Sequence, residues 1–155
     1  MDFGDLHAFF THFPIAFFVL VFILEIIRLF SSRIDPIVSV IILFLGTSTS
    51  FLSVQTGQIK IDNYINMIEQ ESAYIHNDKI NNLKNHKKYG NTIMWTSIFI
   101  FFIWLYLILN GIDNRSLKLF LSLILTVLVL KTASLGGALV QGSYESQLMP
   151  KVGTR

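Results

Sequence analysis

Four long apolar runs separated by polar breaks organise the chain. They extend from about Phe9 to Phe30, Pro36 to Val54, Thr92 to Leu109 and Leu117 to Val140. Each meets the rule of roughly 20 apolar residues per membrane-spanning helix. Backbone groups in lipid must find partners within their own segment, so each run predicts a helix. The first and third breaks, SSRIDP and the stretch opening with Asn110-Gly111, are short and predict antiparallel hairpins. Pro14 and Pro36 suit first-turn positions, with Asp35 as an N-cap for the second helix.

The middle connection, Gln55 to Asn91, is long and polar. Ile59, Ile61, Tyr64, Ile65 and Ile68, then Tyr74, Ile75, Ile80 and Leu83, recur in it at loosely helical spacing. They predict one or two amphipathic helices capping the bundle, with a break near His76-Asn77-Asp78. The expected fold is all-α: a four-transmembrane-helix antiparallel bundle formed by residues 1–155 as one domain, with a long, partly helical connection between helices 2 and 3.

Composition supports this picture. Of 155 residues, 52% are hydrophobic and only 14% charged, against about 25% charged in a soluble domain. The absence of cysteine excludes disulfides, thiolate metal sites, iron–sulfur clusters and covalent c-type haem attachment. A net charge of +2 is too small to argue for nucleic acid. The first run lacks a basic leader and a small-residue cleavage site, so it reads as a retained helix rather than a signal peptide.

An even number of spans places the N-terminus, the middle connection and the C-terminus on one side of the membrane. His7, His12, His76 and His86 therefore share one face. A plain count of Lys and Arg puts that face inside, whereas Arg28 and Arg33 after the first helix put it outside. The first helix often dominates, and the reading adopted is histidines outside.

Neutral imidazole is a metal ligand and a proton carrier. Five residues on a helix advance about 500°, so His7 and His12 point to different sides and can each serve a different centre, or else His7 lies before the helix begins and folds back. His86 stands just before the third apolar run. Four-helix bundles build cofactor sites from side chains on facing helices. Haem iron between imidazoles fits this supply of ligands, and interfacial histidines bonded to backbone or headgroups remain the structural alternative. Small residues, Gly46, Ser50, Ser53 and Gly57 in the second run and Ala133, Ser134, Gly136, Gly137 and Ala138 in the fourth, suit close packing and leave room for a flat macrocycle. Glu25 and Arg28 are spaced to pair at the other end. Lys131 lies within the fourth run, where it snorkels, pairs with an acid of a partner subunit or meets a cofactor carboxylate.

The string Leu6-His7-Ala8-Phe9-Phe10-Thr11-His12-Phe13-Pro14-Ile15-Ala16 resembles the opening signature, roughly LHP-x-x-x-HFPIA, of a bacterial inner-membrane family known only as a domain of unknown function. Thr56-Gly57, His86 with Gly90, and Gly136-Gly137-Ala138-Leu139-Val140 fit the same pattern. Ala8 departs from the family's proline, and Gln141 from a common aromatic. The resemblance implies a four-helix, cytochrome-like protein of the bacterial inner membrane; some members are joined to c-type cytochrome domains. It implies one or two haem b groups, with His7, His12 and His86 as candidate ligands.

The resulting expectation is electron transfer within or beside a respiratory or quinone-linked complex, rather than stand-alone enzyme activity. The cofactor residues are His7, His12, His86, His76, Gly136 and Gly137, with His12 and His86 as the first metal-ligating pair. Expected partners are the lipid bilayer, a larger membrane complex and a cytochrome or quinone. The alternatives are a cofactor-free accessory subunit and a histidine copper or zinc site.

Overall fold

The computed structural model describes residues 6–31, 33–71 and 77–148. They form four helices: α1 (Leu6–Phe30), α2 (Pro36–Glu71), α3 (Asn77–Leu109) and α4 (Arg115–Leu148). All four are long and apolar enough to cross a membrane. Each packs on its neighbours in chain order and α4 closes on α1, so the helices form a ring in which α1 and α3 are diagonal. Pairings run in opposite senses along neighbours: His7 and Phe18 of α1 meet Gly57 and Gly46 of α2, in that order.

Local chemistry sets the ends. The Asp35 carboxylate accepts the Ile37 amide at 2.9 Å, and Asn114 accepts the Leu117 amide at 3.0 Å, capping α2 and α4. Gly111 adopts φ +67°, and the Gly111 and Ile112 amides turn back to the carbonyls of Ile108 and Leu107. That is the Schellman stop, and the left-handed backbone requires glycine there. Pro14 lies inside α1 rather than in its first turn, because the helix already begins at Leu6. It removes a helical donor from the Phe10 carbonyl, a loss that neighbouring elements can offset in a membrane.

The middle connection differs from expectation. Instead of separate capping helices, its polar residues prolong α2 to Glu71 and begin α3 at Asn77. Polarity there marks a change of solvent along a continuous helix. Gln58 donates to Asn91 at 2.8 Å and Lys87 pairs with Asp62 at 2.9 Å, tying α2 to α3 above the apolar zone.

Phe18, Val21, Leu43, Ile100, Trp104 and Leu125 form the middle of the core. Several hydroxyls inside the spans fold back on their own helices, as Thr49 does to the Leu45 carbonyl and Thr126 to that of Ser122. Phe18 fits because Gly46 opposes it: a Cβ there would stand 2.7 Å from the Phe18 ring.

The end away from the histidines is held by charge. Arg28 donates to both carboxylate oxygens of Glu25 at 2.9 and 3.0 Å, and to both of Asp113 at the same distances. Lys118 reaches Asp113 at 3.0 Å, and Arg115 donates to the Arg28 carbonyl at 2.8 Å. Glu25, Arg28 and Lys118 are all buried. Burial alone would raise the Asp113 carboxyl, but hydrogen bonds from Lys118, Arg28 and Arg115 outweigh it and hold the group at about 2.

Removing one partner of a buried pair strands the other. Arg28→Ala should therefore cost about 3–5 kcal/mol in a denaturant titration of the detergent-solubilised protein. Because the folded Asp113 carboxyl lies below its ordinary 3.8, its contribution is complete above pH 3.8 and disappears as pH falls through about 2. Thermal unfolding across that range should show the loss in the wild type and a flatter profile in Asp113→Asn.

Candidate functional site

His7 stands in the first turn of α1 and His86 in the third turn of α3. These helices are diagonal in the ring, so the two side chains meet across the bundle axis. Their ring centroids are 6.5 Å apart, with planes crossed at 81°. Both residues are half-buried.

The His7 ring is fixed from α2. Its Nδ1 lies 2.9 Å from the Ser53 carbonyl, which can only accept, so Nδ1 carries the proton and Nε2 is left with a free lone pair. This is the arrangement that backbone carbonyls impose on metal-bound histidines. The Ser53 carbonyl is free to do this because a helical residue's oxygen has a second lone pair. Gly57, one turn on, gives the ring its place: a Cβ there would lie 2.6 Å from His7 Cε1. His86 rests on α4 in the same manner, with Gly136 opposite its Cε1 at a would-be Cβ distance of 3.1 Å. His86 Nδ1 is buried and makes no close hydrogen bond, although the Thr132 backbone, one turn before Gly136, lies near enough to act on the ring.

A cavity of about 90 Å³ opens beside the pair. Its walls include Thr11 and Pro14 of α1, Ser50 and Ser53 of α2, Ile93 of α3, and Thr132 and Ala133 of α4. All four helices contribute, and the surface is mainly apolar with a few hydroxyls. Lys87 and Gln58 border it on the side where α2 and α3 are tied.

The structure therefore selects among the histidines that the sequence offers. It joins His7, not His12, to His86. His12 is exposed on the outer surface of α1, because one of two residues five apart must face away when the other faces the axis. His76 lies outside the described residues. Of the two glycines, Gly136 belongs to the site, whereas Gly137 is exposed with nothing near its would-be Cβ. Gly57 and the Ser53 carbonyl join as functional groups; the sequence signals Gly57 only as part of a small-residue stripe. Lys131 is exposed and lies over the Tyr89 ring at 4.9 Å, a cation–π contact at the histidine end. Among the described residues, no three His, Cys, Asp or Glu side chains come together as a metal site.

Burial lowers the His7 pKa; the Ser53 carbonyl partly restores it, and the charge of Lys60 lowers it further. A histidine whose folded pKa lies below its ordinary 6.5 favours the neutral form. The stability it supports is complete above pH 6.5 and falls as pH drops from there toward the lowered value. Thermal unfolding between pH 7.5 and pH 5 should show that decline in the wild type, with a weaker one in His7→Leu.

Neither a curated protein nor a solved structure matches the chain. One family model does, over residues 5–144, and that span takes in both histidines and both ring-seating glycines. The chain belongs to the family described as predicted membrane protein DUF2231.

Proposed function

We propose that the protein binds b-type haem between His7 and His86 and carries electrons in the membrane. The observation that supports this most is the imidazole pair facing across the bundle axis. An ion held by two imidazole nitrogens at about 2 Å, with about 1 Å from each nitrogen to its ring centre, sets the centroids about 6 Å apart. The observed 6.5 Å agrees with that separation.

The donor set favours haem over a bare ion. Haem iron brings four nitrogen ligands of its own and asks the protein for two. A zinc or copper site asks for three or four from the chain, and no such group occurs among the described residues. The Nε2 of His7, opposite its Nδ1 bond to Ser53, is free to ligate, and His86 brings the facing imidazole. Held by His7 and His86, haem would supply one-electron chemistry.

The 90 Å³ cavity is smaller than the roughly 300 Å³ of pockets that enclose drug-sized ligands. Binding therefore requires α2 and α4 to part, and Ser50, Ser53, Gly57 and Ala133 leave little side chain to displace. The cavity's size also favours a second reading, a cofactor-free accessory subunit whose histidine pair joins the helices. In the haem reading the partners are a cytochrome or quinone of a larger respiratory complex, and the location is the bacterial inner membrane.

The absorption spectrum separates the two readings. Protein made with haem supplied should show a Soret band that is abolished or shifted in His7→Ala and in His86→Ala but kept in His12→Ala. A colourless wild type contradicts the haem reading, and equal spectra in all three variants contradict the ligand pair.

A further inference from the structure

We propose that the outer face of α3 at the histidine end binds an anionic phospholipid, with Lys84 and Lys88 on its phosphate and Trp95 beneath them. Lys84, Lys88, Trp95, Phe99 and Phe102 follow one another at intervals of four, seven, four and three residues, which keeps them on one side of the helix. All five are exposed. The polar end of this face is an open groove lined by Lys84, Lys88, Thr92, Trp95 and Thr96.

Depth places the groove in the headgroup layer. The helix ends at Leu109 on the opposite side of the bilayer. A hydrocarbon layer of about 30 Å takes about 20 helical residues, so α3 crosses its other boundary near Gly90. Lys88 and Lys84 then stand about 3 and 9 Å beyond that boundary, at 1.5 Å of rise per residue. Trp95 lies just within it, in the zone where indole rings and their N–H donors meet headgroups. Phe99 and Phe102 continue along the acyl chains.

The groove's other polar groups are already engaged. Lys87 pairs with Asp62 at 2.9 Å. Asn91 accepts from Gln58, and Thr92 donates to the Lys88 carbonyl at 3.0 Å. Lys84 and Lys88 pair with no acid among the described residues. Beyond Asp78, α3 carries no Asp or Glu. Two uncompensated cations above an aromatic strip complement a molecule that is anionic at one end and hydrocarbon at the other. A free phosphate would meet the lysines alone, so the strip assigns the site to a lipid.

Native mass spectrometry of the detergent-solubilised protein, counting bound lipid, tests this. Phosphatidylglycerol should bind more tightly than phosphatidylcholine. Lys84→Gln and Lys88→Gln should each weaken phosphatidylglycerol binding about fivefold, and the double variant about thirtyfold. Phosphatidylcholine binding should not change. The Lys60→Gln, Lys131→Gln double variant removes the same charge from the same end of the bundle and should bind as the wild type does. Inorganic phosphate at matched ionic strength should not displace the lipid. Equal affinity for the two lipids, unchanged binding in the groove variants, or equal losses in the two double variants would overturn the proposal. Displacement by inorganic phosphate would overturn it as well, leaving an anion site in its place.

Discussion

The contact on which the site depends is between a ring and a backbone. His7 reaches the bundle axis because Gly57 presents no side chain where the imidazole lies. Any larger residue on that face of α2 would push the ring away from Ser53 and from His86 together. The same logic repeats at Gly136 with His86 and, within the apolar core, at Gly46 with Phe18. Helices in lipid gain little from hydrophobic attraction to one another, so close packing over small residues carries much of the association. The small residues that bring these helices together also shape the site.

The two ends of the bundle solve the cost of intramembrane polarity differently. At the loop end, Arg28 is shared between Glu25 and Asp113, while Lys118 and Arg115 complete the set. Four of the five charges come from helices and one from the loop between α3 and α4, so the network locks that loop to α1. At the histidine end, charge is kept at the margin, with Lys87 on Asp62 and Lys131 over Tyr89. The interior holds imidazoles instead, His7 bonded through Nδ1 to Ser53 and His86 beside the Thr132 backbone. One end is filled with internal bonds; the other holds the facing imidazoles beside the cavity.

Much of the fold was legible because it rests on local rules. Apolar runs marked the spans, Asp35 and Gly111 marked ends, and the Glu25–Arg28 spacing marked a pair. An even span count put His7, His12 and His86 at one end of the bundle. Their pairing was less accessible. Helical geometry required His7 and His12 to diverge, but α1 is apolar on nearly every side, so no polar face showed which one turns inward. The extensions of α2 and α3 were hidden for a related reason: a helix leaving the bilayer becomes polar without ending. Asp113 joins α1 to α4 through contacts more than eighty residues apart in sequence, beyond any local signal.

The central claim is that His7 and His86 face each other while His12 faces away. The chain has no cysteine, so introduced thiols have no background. A short bifunctional thiol reagent, with intact-protein mass as the readout, tests the claim in the membrane. The His7→Cys, His86→Cys double variant should be bridged within one chain, and the His12→Cys, His86→Cys variant should carry two separate adducts. Equal bridging in both, or bridging only in the second, would contradict the account.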